Sequence, residues 1–128
     1  MFGGNALLEV RVDANLNHDY PVAVELILLY DKALDDELTG LDSKTWFASR
    51  DQYRADYSKS QYESWYWEWV PGQVVAPQQF RYETGAVSAI LFASYASPGD
   101  HRARVAPPDQ NMALHLRKDD FTVGPASK

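Results

Sequence analysis

Apolar and polar residues alternate with a period of two over Leu7-Leu8-Glu9-Val10-Arg11-Val12-Asp13, which predicts a half-buried strand. Leu8, Val10 and Val12 face inward, and Glu9, Arg11 and Asp13 face water. Val22–Tyr30 is almost wholly apolar, with Glu25 its only charge, and predicts a well-covered strand. Ala86–Tyr95 carries no charge, no Pro and no Gly. A run that short, bounded by turn residues, predicts a fully buried strand. Ser97-Pro98-Gly99-Asp100 follows it. Pro pre-sets the first central φ of a type II turn and Gly supplies the positive φ at the second. His101–Val105 then alternates, with its basic residues on one side. The pair reads as a hairpin, a central strand followed by one nearer the edge, and the rest of the chain reads as its cover.

From Asp31 the period changes. Lys32–Gly40 contains a helical turn closed by Gly40. Asp42 or Ser43 can cap a second helix running to about Ser58, because a short side-chain oxygen accepts the orphan N–H groups of the first turn. Within it Trp46, Phe47, Arg50, Tyr53, Arg54 and Tyr57 recur at three- and four-residue steps, an aromatic stripe suited to covering a sheet. Tyr62–Val70 predicts a strand with Trp65, Trp67 and Trp69 on one face. Pro71-Gly72 turns the chain. Val74–Thr84 is a weaker strand that Pro77 confines to an edge or bulge. After the loop Pro107–Asn111, Met112–Arg117 alternates again, and Phe121–Val123 closes the last strand before the polar tail Gly124–Lys128. About seven short strands and one helical insertion, at about 32–58 between strands 2 and 3, predict a mainly β fold. The expected architecture is an antiparallel two-sheet β-sandwich in a single domain over 1–128.

Composition narrows the function. Hydrophobic residues make up 45% of the 128 residues, enough for a core without metals or disulfides. The net charge of −6 argues against nucleic acid as a partner, since phosphate binding needs clustered Lys and Arg. The absence of cysteine excludes a thiol nucleophile and thiolate metal sites. Met1-Phe2-Gly3-Gly4-Asn5 lacks the basic and apolar regions of a signal peptide. That leaves a cytosolic protein, or a mature chain whose export signal is removed.

His18, His101 and His115 are the only histidines, and none has metal-ligand spacing. No G-x-S-x-G nucleophile motif and no phosphate loop is present. Glu63 and Glu68 lie beside tryptophans, as a glycosidase pair would, but nothing in the sequence sets their separation. The expectation is no catalytic residue, no cofactor and no metal. The tryptophan face has two readings. It is either core beneath the aromatic helix face of Trp46, Tyr53 and Tyr57, or a flat ladder on which a carbohydrate-binding module stacks sugar rings. The loop Asn15–Pro21 joins two strong strands and is the most prominent exposed element, placed as recognition loops on rigid sandwiches are.

The order of features resembles a known family. A strand ends in Asn15-Leu16-Asn17, and a polar loop closes with Pro21-Val22-Ala23-Val24. An insertion with Trp46-Phe47 follows, then a turn at Val70-Pro71-Gly72-Gln73 and the strand Ile90-Leu91-Phe92-Ala93-Ser94-Tyr95. Together these resemble the TssJ (SciN/VasD) lipoproteins of the type VI secretion system. The resemblance implies a transthyretin-like two-sheet sandwich with extra helices. It implies a non-enzymatic outer-membrane lipoprotein facing the periplasm, tethered through an acylated N-terminal Cys. It also implies a partner, the periplasmic C-terminal domain of the inner-membrane protein TssM. The loop between the first two strands takes part in that contact in the family, so Asn15, Leu16, Asn17, His18, Asp19 and Tyr20 are the expected contact residues. Two features depart from the pattern. The lipidated Cys is absent from this chain, and the Pro107–Asn111 loop and Trp-rich strand are not family hallmarks.

Overall fold

The computed structural model describes residues 3–126. Met1, Phe2 and the last two residues of the predicted tail lie outside them. The elements run β1 (Gly4–Val12), β2 (Val22–Leu29), α1 (Lys32–Thr39), α2 (Ser43–Asp56), β3 (Tyr62–Trp69), β4 (Gln78–Tyr82), β5 (Ser88–Ala93), β6 (Arg102–Val105), β7 (Met112–Leu116) and β8 (Phe121–Pro125). Two four-stranded sheets pack face to face, in the orders β4-β1-β7-β8 and β3-β2-β5-β6. Eight strands stand where the pattern predicts about seven, because β7 and β8 are separate antiparallel strands. The pairings are antiparallel except β1–β7, which run parallel from Leu8↔Met112 to Val12↔Leu116. Parallel neighbours need a long connection, and here the whole second sheet lies between them in sequence.

The two periods of β2 explain the layers. Val22, Val24, Leu26 and Leu28 point between the sheets, with Ala89, Leu91 and Ala93 of β5 and Leu8, Leu114 and Leu116 opposite. The odd positions Ile27 and Leu29 point the other way and join Ile90, Phe92, Leu34, Leu38 and Trp46 in a second core. The helices therefore cover the outer face of the β2–β5 sheet. That double burial is why β2 and β5 read as continuous apolar runs rather than alternating ones. Asp31 caps α1, accepting from Leu34 N at 3.1 Å, and Asp42 caps α2, accepting from Thr45 N at 2.8 Å.

Each helix is also tied to the sheet by a buried carboxylate. Glu25 of β2 is 1% exposed. Its Oε1 accepts from Trp46 Nε1 and from Arg50 Nε, each at 2.8 Å, and its Oε2 accepts from Arg50 Nη2 at 2.9 Å. The Arg50 guanidinium also lies 4.7 Å above the Tyr66 ring. Asp35 of α1 accepts from Arg104 of β6 at 3.1 and 2.8 Å and from Ser88 Oγ at 2.7 Å. Chiefly the Arg104 bonds hold its carboxyl below the ordinary aspartate value. That contribution to stability is present at neutral pH and is lost as pH falls through the lowered value.

The tryptophans of β3 do not lie under the helix. Trp65, Trp67 and Trp69 share the parity of the inter-sheet core, and the helix side of β3 carries Tyr62, Ser64, Tyr66 and Glu68. Trp67 stacks on Trp69 at 5.4 Å, and Trp65 meets Phe80 of β4 edge-on at 6.0 Å. The indoles close the seam between the β3 and β4 edges. Facing inward, they form no flat outward ladder for sugar rings.

Glu25→Ala leaves the Arg50 guanidinium and the Trp46 indole N–H without their acceptor. It is expected to lower stability by about 3–5 kcal/mol in urea unfolding, whereas Glu25→Leu combined with Arg50→Met restores much of the loss.

Candidate functional site

The connection from β1 to β2 begins at the end of the sandwich opposite Gly4. Asp13 N donates to Leu116 O at 3.0 Å, which ends the parallel ladder, and Leu16 N donates back to Asp13 O at 3.1 Å. Leu16 is fully buried and plugs that end of the inter-sheet core. The chain then turns through three successive left-handed residues, Asn17 (φ 46°), His18 (φ 53°) and Asp19 (φ 73°). For an L-residue this conformation costs on the order of 1–2 kcal/mol, and Asn, Asp and His are the non-glycine types found there most often. Such strain persists only where the surroundings over-determine it.

Asn17 provides that determination. It is 4% exposed. Its Nδ2 donates to Pro21 O at 3.1 Å, its Oδ1 accepts from Ala96 N at 3.0 Å, and its carbonyl accepts from Tyr20 N at 3.2 Å. One side chain thus bridges the loop to the segment after β5. The six predicted contact residues accordingly divide. Leu16 and Asn17 are buried and hold the loop from below. Asn15, His18, Asp19 and Tyr20 are exposed, Tyr20 by 68%.

Two turns that sequence reasoning did not assign to the site share this end. His18 Nε2 lies 2.6 Å from Asp119 Oδ1, and Ser97 Oγ donates to Asp119 O at 2.6 Å. His101, itself left-handed at φ 47°, stacks on Tyr95 with ring centroids 5.0 Å apart. Its Nδ1 is 2.8 Å from Asp120 Oδ1 and its Nε2 is 2.7 Å from Ser97 O. Both partners are acceptors, so both bonds form when both ring nitrogens carry protons. His115 donates from Nε2 to Asp13 at 2.8 Å and accepts from Arg117 Nε at 3.3 Å. The bond from His115 is the chief cause holding the Asp13 carboxyl below its usual value. Burial pushes the Tyr95 hydroxyl well above the usual tyrosine value. Pro98-Gly99 and Asp119-Asp120 are legible as turns. Their meeting with the 15–21 loop depends on strand order, which no local signal carries.

This arrangement is a preshaped surface. Each histidine is occupied by an aspartate, and among the described residues no group of three or more His, Asp or Glu is placed to hold a metal ion. No helix among the described residues is long and apolar enough to cross a membrane.

No family model and no curated protein matches the chain. Solved structures do match. The type VI secretion lipoprotein TssJ1 from Pseudomonas aeruginosa superposes with a TM-score of 0.70 at 14% identity, covering 98% of each chain. Serratia marcescens Lip, a membrane-bound component of the type VI secretion system, gives a TM-score of 0.70 at 16% identity, covering 98% of this chain and 99% of its own. A chain of the structure described as the type VI secretion protein TssM C-terminal domain (869–1107) from EAEC gives 0.62 at 13%, covering 98% and 100%. The two-sheet sandwich with helices between strands 2 and 3 is therefore the fold of the TssJ lipoproteins.

Asn17→Ala removes two side-chain hydrogen bonds and places a less tolerant residue in the left-handed region. It is expected to cost about 2–3 kcal/mol in chemical unfolding. Asn17→Gly removes the same bonds but carries no Cβ, and is expected to cost less.

Proposed function

We propose that the chain is a non-enzymatic structural component of a type VI secretion membrane complex. In this reading it is a single sandwich domain of an outer-membrane lipoprotein, facing the periplasm. Its loop Asn15–Tyr20 docks the periplasmic C-terminal domain of a TssM-like inner-membrane protein. The observation that carries the reading is the left-handed turn Asn17–Asp19, strained yet bonded into place, with His18, Asp19 and Tyr20 presented to solvent. A loop ordered before binding loses little conformational freedom on docking, and an exposed tyrosine in a rigid frame is a common affinity anchor. The shared fold over 98% of the chain with proteins described as type VI secretion lipoproteins supports the same assignment.

The geometry suits a tether. β1 runs nine residues from Gly4 to Val12, about 27 Å at strand rise, so an anchor upstream of Gly4 and the docking loop lie at opposite ends of the sandwich. A lipid at the N-terminus would leave the loop pointing away from the membrane. The net charge of −6 opposes adhesion of the body to anionic lipid. Firm anchoring by acyl groups takes more than one chain.

The test is binding of a TssM periplasmic C-terminal fragment, measured by calorimetry. The combined variant Asp19→Asn, Tyr20→Ala, which keeps a residue tolerant of the left-handed region at 19 and leaves His18 on Asp119, is expected to bind at least about tenfold more weakly, with a nearly unchanged melting temperature. Glu9→Ala, on the outward face of β1, is expected to bind like the parent. Equal affinity for the loop variant would overturn the reading.

A further inference from the structure

The sandwich has four sheet edges, and three of them are blunted. β4 has five residues, follows Pro77 and carries Arg81. β6 has four residues, two of them arginines. β8 has five and ends in Gly124-Pro125. Short length, basic residues and Pro are the devices that stop an edge from pairing with another chain. β3 lacks these three devices, its only charges being Glu63 and Glu68. It is eight residues long and contains no Pro, Lys or Arg.

The hydrogen-bond phase shows which backbone groups it offers. Tyr30 N donates to Gln61 O at 2.9 Å, and on the other side of β2 Ser94 N donates to Ala23 O at 2.9 Å. Even positions of β2 therefore bond toward β3 and odd positions toward β5. By the same alternation the odd residues of β3 bond to β2. Ser64, Tyr66 and Glu68 turn their N–H and C=O groups to the open side.

A cleft of about 570 Å³ opens at the head of this edge, lined by Arg54, Tyr57, Lys59, Tyr62, Glu63 and Trp65 among others. Lys59 makes no hydrogen bond or ion pair among the described residues. The carboxylate nearest Arg54 is the exposed Asp51, at 3.7 Å. Glu63 accepts from the Tyr30 hydroxyl at 3.2 Å. An unpaired lysine and an arginine held only by an exposed, long ion pair over an aromatic floor stand out on a chain of net charge −6.

We infer that the open edge of β3 is a second docking site, which takes an extended acidic segment of a partner protein by strand addition. The segment's backbone pairs with Ser64, Tyr66 and Glu68, and one of its carboxylates enters the cleft between Arg54 and Lys59. Main-chain pairing supplies affinity in this mode, and the side-chain pocket supplies selectivity. A second copy of the chain fits less well, because two bodies of net charge −6 repel each other; antiparallel self-pairing centred on Tyr66 would set Glu68 of one copy opposite Ser64 of the other. The inference is independent of the Asn15–Tyr20 loop, which lies beyond the Trp69 end of β3 while the cleft lies at the Tyr62 end.

The experiment titrates the ¹⁵N-labelled chain with the capped peptide Thr-Glu-Val-Thr-Val-Thr-Val, with the same peptide carrying Gln for Glu, and with a form N-methylated on alternate backbone amides. The expected result is amide shifts centred on Ser64, Tyr66 and Glu68 below about 1 mM of the Glu peptide, and none with the N-methylated form. Arg54→Glu with Lys59→Glu, both on the surface, is expected to weaken the Glu peptide at least about tenfold and to leave the Gln peptide within about twofold. The inference is overturned by shifts confined to β4, β6 or β8, or by no shift at all. Indifference to the charge reversal overturns it too, as does a dimer of the free chain that Tyr66→Pro dissolves.

Discussion

A carboxylate buried in the middle of a central strand constrains everything around it. Glu25 has neighbours that are apolar on both sides in sequence, and its side chain is on the face of the sheet away from the other sheet. An ionised group there is tolerable only with its oxygens bonded. The bidentate Arg50 and the indole of Trp46 meet that requirement, and both come from α2. The helix is thereby set in position and rotation over β2, with Trp46 stacked 5.5 Å from Phe92. Asp35 and Arg104 repeat the device between α1 and β6, and Arg102 donates to the Leu41 carbonyl at 2.5 Å. The helical insertion is thus part of the frame, fastened at three points across the sheet.

A frame of that kind can carry strain at one end. The β2–β5 sheet is covered on both faces, and the β1–β7 ladder ties the other sheet to it through a common core. Three loops then converge beyond the strand ends, and Asn17 bonds two of them together. Three consecutive left-handed residues would relax in a free peptide. Here their cost is met by burial of Leu16 and by the Asn17 bonds, leaving His18, Asp19 and Tyr20 in one fixed arrangement. The exposed His18–Asp119 pair adds little energy, and its value lies in holding the loop against the β7–β8 turn.

Much of this architecture was legible in the chain. Period-two alternation marked β1 and β7, and long apolar runs marked β2 and β5. Asp42 and Gly40 bounded the helices where the structure places them. Pro77 correctly demoted β4 to an edge. Other features were not legible, because they depend on which strands become neighbours. The aromatic residues of α2 and β3 looked like two halves of one contact. In fact the β3 parity, set by its register with β2, turns the tryptophans to the opposite side of the sheet. The loop was legible as an exposed connection between two strong strands, but Leu16 and Asn17 looked like surface. The pairs His18–Asp119 and His115–Asp13 span 101 and 102 residues of sequence, beyond the reach of any local signal.

The central claim is that the preshaped end of the sandwich is the docking surface. Amide hydrogen exchange of the chain, alone and with a TssM periplasmic C-terminal fragment, tests it most directly. The account predicts that 17–20 and the adjoining turns at 96–101 and 117–120 slow on complex formation, while the outward face of β1 is unchanged. Unaltered exchange at 17–20 in a complex that forms would contradict it.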